Sequence, residues 1–210
     1  MDDWLQQFHA MRPVPISGLA ARFENVLDTA EREEGLQKFI AENPYILAEQ
    51  LPHCHFVIPK FRFGGKYISD FLLPEIASSG TSWVLVELEP VHAPLVTASG
   101  HLAERVRTGV QQVKDWRDWL MDNRDEAIRP RAHNGLGLEE IEDIQGWVIV
   151  GRRSKITPRF NQIRNQVLRE SRIEIMTYDR ILERFKTRAA HWETWDRAML
   201  QWSQENSAAN

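Results

Sequence analysis

WVLVELEP, residues 83–90, reads as a strand that carries two charges at its end. Aromatic and β-branched side chains favour the pleated, half-buried surface of a sheet, and Pro90 closes the run because it has no N–H to give to a ladder. Side chains alternate along a strand, so Glu87 and Glu89 share one face. Two carboxylates held side by side repel each other and lose hydration unless a positive charge lies between them. A divalent cation does this well, and Mg2+ takes oxygen ligands from one or two carboxylates, water and phosphate. Asp70 ends the preceding apolar run, where a hairpin would set it beside Glu87. The alternative is a strand that frays early, leaving both glutamates solvated at an edge.

Upstream of this strand, apolar residues at helical spacing predict helices over 17–28 and 31–42. They could be one continuous helix, and the second stops at Asn43-Pro44. Residues 1–16 read as an arm. Strands are expected over 55–63 and 66–73, joined at Gly64-Gly65, with Pro74 closing the second. Downstream, a helix over 102–121 places Val106, Val110, Val113 and Leu120 on one stripe, and residues 122–143 read as an exposed connection. A buried strand at 146–150, a helix at 158–170, a strand at 172–176 and two helices at 179–187 and 190–203 complete the order. A hairpin run followed by β-α-β connections predicts an α/β (α+β) fold, with a mixed sheet flanked by helices on both faces.

The composition is that of a soluble globular protein, with 42% hydrophobic and 27% charged residues. No apolar run reaches the roughly 18 residues of a membrane span. The acidic N-terminus lacks a signal core and there is one cysteine, so a cytoplasmic protein without disulfides or membrane contact is expected. The net charge of -4 hides an uneven distribution. From Arg152 to Arg172 there are seven basic residues against one acid, a local charge of +6. Arg152, Arg153 and Lys155 follow a buried strand and would emerge at a sheet end, where ligands of α/β sheets commonly sit. They are candidates for nucleic-acid phosphate, against the plainer reading of a solvated helix face.

His53-Cys54-His55 has no partner motif that would complete a zinc site. His92 and His101 fall in the loop after the acidic strand, His101 being the better candidate of the two for a place near the site. Trp116 and Trp119 read as packing aromatics. Neither a nucleophile elbow nor a phosphate-binding glycine loop occurs.

Asp70, a short loop and a hydrophobic strand ending Glu87-Leu88-Glu89 resemble the D…(D/E)-x-K pattern of PD-(D/E)XK nucleases. Ordered pieces resemble more closely the nuclease domain of Shedu anti-phage defence proteins. They are LQKFIAENPYIL (36–47), SDFLL (69–73), WVLVELEP (83–90), GVQQVKDWRDWL (109–120), GWVIVGRRS (146–154) and IEIMTYDRIL (173–182). The resemblance implies a restriction-endonuclease-like domain over 31–187, preceded by an arm and helix (1–30) and followed by a helix and tail (188–210) packed on it. It also implies a metal site at Asp70 and Glu87, DNA as substrate, and Mg2+ as cofactor with Mn2+ able to substitute. Further, it implies a helix glutamate and a helix glutamine near the metal. Glu33, one turn before Gln37, is the first choice for the glutamate and Glu34 the second; Gln112 matches the glutamine.

One position departs from the pattern. Glu89 stands where these nucleases usually carry lysine, which would orient water or stabilise charge on phosphate. A glutamate there could bind metal or act as general base. The expectation is therefore an Mg2+-dependent DNA endonuclease with Asp70, Glu87, Glu89, Gln112 and Glu33 at its site, working as a homo-oligomer. Its competitors are a decayed nuclease fold that only binds nucleic acid or a partner, and a structural assembly protein.

Overall fold

The computed structural model describes residues 3–13, 16, 18–30 and 32–207, with side chains from residue 4 to residue 202. Ser17, Glu31 and the tail beyond Ser207 lie outside the described residues, as does part of the predicted arm. The arm is not featureless: Asp3–Phe8 forms a 3-10 turn, and Leu5 is buried against the sheet.

Three helices come first: α1 (Leu19–Thr29), α2 (Glu33–Glu42) and the short α3 (Tyr45–Ala48). α1 and α2 are separate, because Ala30 and Arg32 both adopt extended backbone between them. α3 is the four-residue helix that Pro44 starts rather than prevents, since proline's fixed φ suits a helix N-terminus.

The expected pair of long strands is broken into short pieces. β1 (Ile58–Pro59) and β2 (Arg62–Phe63) are separated by Lys60, whose φ is +49°. The Gly64-Gly65 signal does make a hairpin, joining β2 to β3 (Tyr67–Ile68), but these two strands form a small sheet of their own. Gly64 is required there: a Cβ would come within 2.2 Å of the Trp119 ring. The core hairpin is β4 (Phe71–Ala77) with β5 (Gly80–Leu88). Pro74 lies inside β4 rather than ending it. It is tolerated because its nitrogen faces the β1 side, past the two residues that β1 pairs; on that side the Ile76 N–H bonds to His53 O at 3.1 Å.

α4 (Glu104–Asp122) and the short α5 (Arg124–Ile128) follow, then β6 (Gln145–Ile149), α6 (Pro158–Ser171), β7 (Ile173–Met176) and α7 (Tyr178–Ser207). Thr157 caps α6 by accepting the Phe160 N–H at 3.1 Å, with Pro158 in the first turn. Residues 122–143 are no exposed connection, since Ala127, Leu138 and Ile141 are buried in the core. The two C-terminal helices are one helix of 30 residues.

The main sheet has the order β1-β4-β5-β6-β7. Its hairpin side is antiparallel, while β5/β6 and β6/β7 are parallel. It is a mixed sheet with helices on both faces, as the sequence predicts. On one face, Phe71, Leu73, Val84, Val86 and Leu88 meet apolar residues of α1, α2, α3 and α7. On the other, Leu72, Trp83, Leu85, Val148 and Ile175 meet α4, α5 and α6. Trp116 is buried and stacks on Phe63 with ring centroids 6.0 Å apart, a packing role as predicted.

Candidate functional site

The β4/β5 register sets up the acidic group. Phe71 pairs with Val86, so one step further Asp70 stands across from Glu87. Within β5, Glu87 follows Trp83 and Leu85 onto the α4 face, and Glu89 continues the alternation just past the strand. Asp70, Glu87 and Glu89 are 5%, 7% and 3% exposed, so all three carboxylates are buried at the C-terminal end of β5. The fraying alternative fails here. Glu89 is held by its own N–H, which donates to Ile149 O at 2.9 Å, and by its carbonyl, which accepts the buried Tyr178 hydroxyl at 2.8 Å.

Asp70 is fully engaged. Its Oδ1 accepts from Gln37 Nε2 at 2.6 Å and from Lys60 Nζ at 2.9 Å, and its Oδ2 accepts the Leu88 N–H at 2.8 Å. Among the described residues Glu87 has no such support. Burial, then repulsion from Asp70, Glu89 and Glu33, pushes its carboxyl up to about 9, with Lys60 pulling the other way. Glu89 is pushed up to about 7, first by burial and then by Glu33, with Arg105 opposing. Glu33 is raised by burial and by Asp70, with Lys60 and Arg105 opposing. A buried acid that holds its proton marks a place short of positive charge.

Of the two candidate helix glutamates, Glu33 is half-buried and repelled by Asp70, while Glu34 is exposed on the neighbouring side of α2. One turn after Glu33, Gln37 is the glutamine that touches the site. Gln112 is half-buried on α4 and among the described residues makes no hydrogen bond to these carboxylates. α4 instead approaches through Gly109, where a Cβ would lie 2.9 Å from Val148 and 3.2 Å from Glu89. Gln37 and Lys60 were missed as site residues. Gln37 could have been found from its four-residue spacing to Glu33, but Lys60 gives no local signal, because its place depends on how β1 and β4 pair.

The loop after β6 lies at the same end of the sheet, where Gly151 N–H donates to Pro90 O at 3.3 Å. Its arginines are not free, however. Arg152 pairs with Asp28 at 2.6 Å and Asp179 at 3.1 Å, joining α1 to α7, and Arg153 pairs with Glu183. Lys155 is exposed and makes no ion pair among the described residues. Cys54 is buried with its thiol pushed up to about 12 by burial, and His53, His55, His92 and His101 are exposed.

All four acids offer hard oxygens, and the raised proton affinity of Glu33, Glu87 and Glu89 marks a charge deficit, so the donor set suits Mg2+ or Mn2+ in chemistry. They do not form a ready cage: among the described residues no group of three or more His, Cys, Asp or Glu is arranged to hold a metal. Asp70 would have to exchange Lys60 or Gln37 for the ion.

No curated protein matches the chain. A family model described as Shedu protein SduA, C-terminal, matches residues 30–182. That span holds Glu33, Gln37, Lys60, Asp70, Glu87 and Glu89, and most of the 210 residues, so the chain belongs to the family of the C-terminal part of the Shedu protein SduA.

Proposed function

We propose that this Shedu-family chain is a metal-dependent DNA endonuclease of the PD-(D/E)XK type. Family membership points to a part in anti-phage defence. The observation that carries the nuclease reading is the burial of Glu87 and Glu89 beside Asp70 at the end of β5, with too little positive charge to match them. Asp70 and Glu87 would hold Mg2+, for which Mn2+ can be exchanged, and Glu89 would either complete the ligand set or activate water. The ion would supply charge to the phosphate oxygens and acidify water.

The protein's own groups have separable parts in this reaction. Glu89, pushed up to about 7, suits a general base working near neutral pH. Glu33 adds negative charge that favours cation entry. Gln37 and the Leu88 N–H hold Asp70 in place. Gln112, further along α4, would reach a phosphate rather than the carboxylates. Lys155 would meet the DNA backbone, and Arg152 and Arg153 would do so only by leaving their acid partners. Cutting both strands calls for two sites, so a homo-oligomer belongs to the proposal; light scattering of the purified protein tests it.

Plasmid and linear DNA incubated with Mg2+ or Mn2+ test the activity. Cleavage by the wild type, and loss of about 100-fold or more in Asp70→Asn and Glu87→Gln, is the expected result. Absence of cleavage with either ion, or equal cleavage by the variants, contradicts it. A second reading, a decayed nuclease fold that only binds DNA or a partner, is favoured by the engagement of both Asp70 oxygens by protein donors. DNA affinity without turnover, unchanged by EDTA, is its signature.

A further inference from the structure

Phosphodiester hydrolysis puts negative charge on the phosphate as the water oxygen joins phosphorus and one ester P–O bond breaks. One proton leaves the water and one ends on the departing alkoxide. A cation beside the reacting phosphate stabilises this change. The acidic strand does not provide one, since Glu89 brings a further carboxylate. Two side chains bring positive charge to the site. Arg105, in the first turn of α4, is exposed and makes no hydrogen bond or ion pair among the described residues, and its charge opposes proton uptake by Glu33 and Glu89. Lys60 is much closer in. Its Nζ lies 2.9 Å from Asp70 Oδ1, and its charge opposes proton uptake by Glu33 and Glu87.

Lys60 is also held in register with the site by its backbone. It sits between β1 and β2 at φ +49°, a region where an L side chain is disfavoured and where asparagine or glycine is easier to place. From there its N–H donates to Asp70 O at 2.9 Å, while its side chain returns to the same residue's carboxylate. An ammonium has three N–H donors. One is used on Asp70, and the Lys60 side chain is 55% exposed, so two donors remain for a ligand arriving from solvent.

The geometry points to Lys60 as the residue whose ammonium contacts the scissile phosphate, supplying from the β1–β2 turn the positive charge that position 89 lacks. This rests on the nuclease reading above. In the structure the same ammonium neutralises part of the acidic group; a divalent ion on Asp70 would compete with it and leave it free for the phosphate.

The test compares wild type, Lys60→Asn and Lys60→Arg as full chains. Cleavage is followed with Mg2+, binding of Mn2+ alone is followed by electron paramagnetic resonance, and folding is followed by thermal melting. Asparagine suits the positive φ, which offsets part of the lost ion pair to Asp70, so Lys60→Asn should still fold and melt in one cooperative step. Its cleavage should fall about 100-fold, as for loss of one preorganised donor to a transition state. Mn2+ binding should stay the same or tighten, because a competing cation has gone, and Lys60→Arg should recover part of the rate. Cleavage by Lys60→Asn close to that of wild type overturns the inference and leaves the nuclease reading intact. Cleavage lost together with Mn2+ binding also overturns it, because Lys60 would then only build the Asp70 site. A wild type that binds Mn2+ but cuts no DNA overturns the nuclease reading itself, and the role of Lys60 with it.

Discussion

Glu87 and Glu89 hold protons at pH values where exposed glutamates have lost theirs, and this ties stability to pH. The ordinary glutamate value is 4.5, and in the folded protein Glu87 rises to about 9. Between those values the folded state binds more protons than the unfolded state, so stability falls as pH rises. The contribution is complete below 4.5 and is lost as pH passes through about 9; for Glu89 the window runs from 4.5 to about 7. Urea unfolding at pH 5, 7 and 9 without divalent ions should therefore show a steady loss of stability. Glu87→Gln should flatten that slope and stabilise the protein at pH 9; an unchanged slope would mean that Glu87 is solvated. Gln37 acts in the opposite sense, as a donor to a buried carboxylate. Replacing it with leucine leaves Asp70 Oδ1 with Lys60 alone and should lower stability by about 1–3 kcal/mol in the same urea assay.

Among the elements, α4 packs against Glu89, and the loop after β6 lies at the same end of the sheet. α4 lies close on β6 because glycines face each other's neighbours: a Cβ on Gly146 would stand 2.3 Å from Val113, and one on Gly109 would press on Val148 and Glu89. Gly109→Val should cost about 1–3 kcal/mol through overpacking, and differential scanning calorimetry would measure it. If the variant folds, it should also disturb divalent-ion binding, because the added atoms meet Glu89. The arginine loop makes a different prediction. Arg152 joins α1 to α7 through Asp28 and Asp179. Arg152→Ala should lower stability by about 1 kcal/mol, with salt weakening the difference. No change in melting, with weakened DNA binding, would instead assign Arg152 to the nucleic acid. The positive run was legible in the sequence, but its neutralisation was not, since Asp28, Asp179 and Glu183 come from distant parts of the chain.

For the molecule as a whole, periodicity carried the layers and lost the joints. Val106, Val110 and Val113 identified the buried face of α4, and the apolar runs at β5 and β6 identified the sheet. Register did not follow from those runs: Lys60 breaks the first predicted strand, and Pro74 sits within a strand rather than ending it. α7 runs unbroken through 188–189, where a break was expected. Tyr178, Ile181, Leu182 and Phe185 bury its first half, while Trp195, Met199 and Leu200 are exposed further along, so no single amphipathic stripe covers its length. The acidic trio was legible because two of its members share one strand. Gln37 and Lys60 join them only through the meeting of α2, the β1–β2 turn and β4 at one end of the sheet. That meeting is what the metal proposal depends on, and crystals soaked in Mn2+ test it most directly. Anomalous scattering should place one ion in contact with Asp70 and Glu87, with Lys60 moved off Asp70 Oδ1. An ion bound elsewhere, or none at saturating Mn2+ with Lys60 still on Asp70, would contradict it.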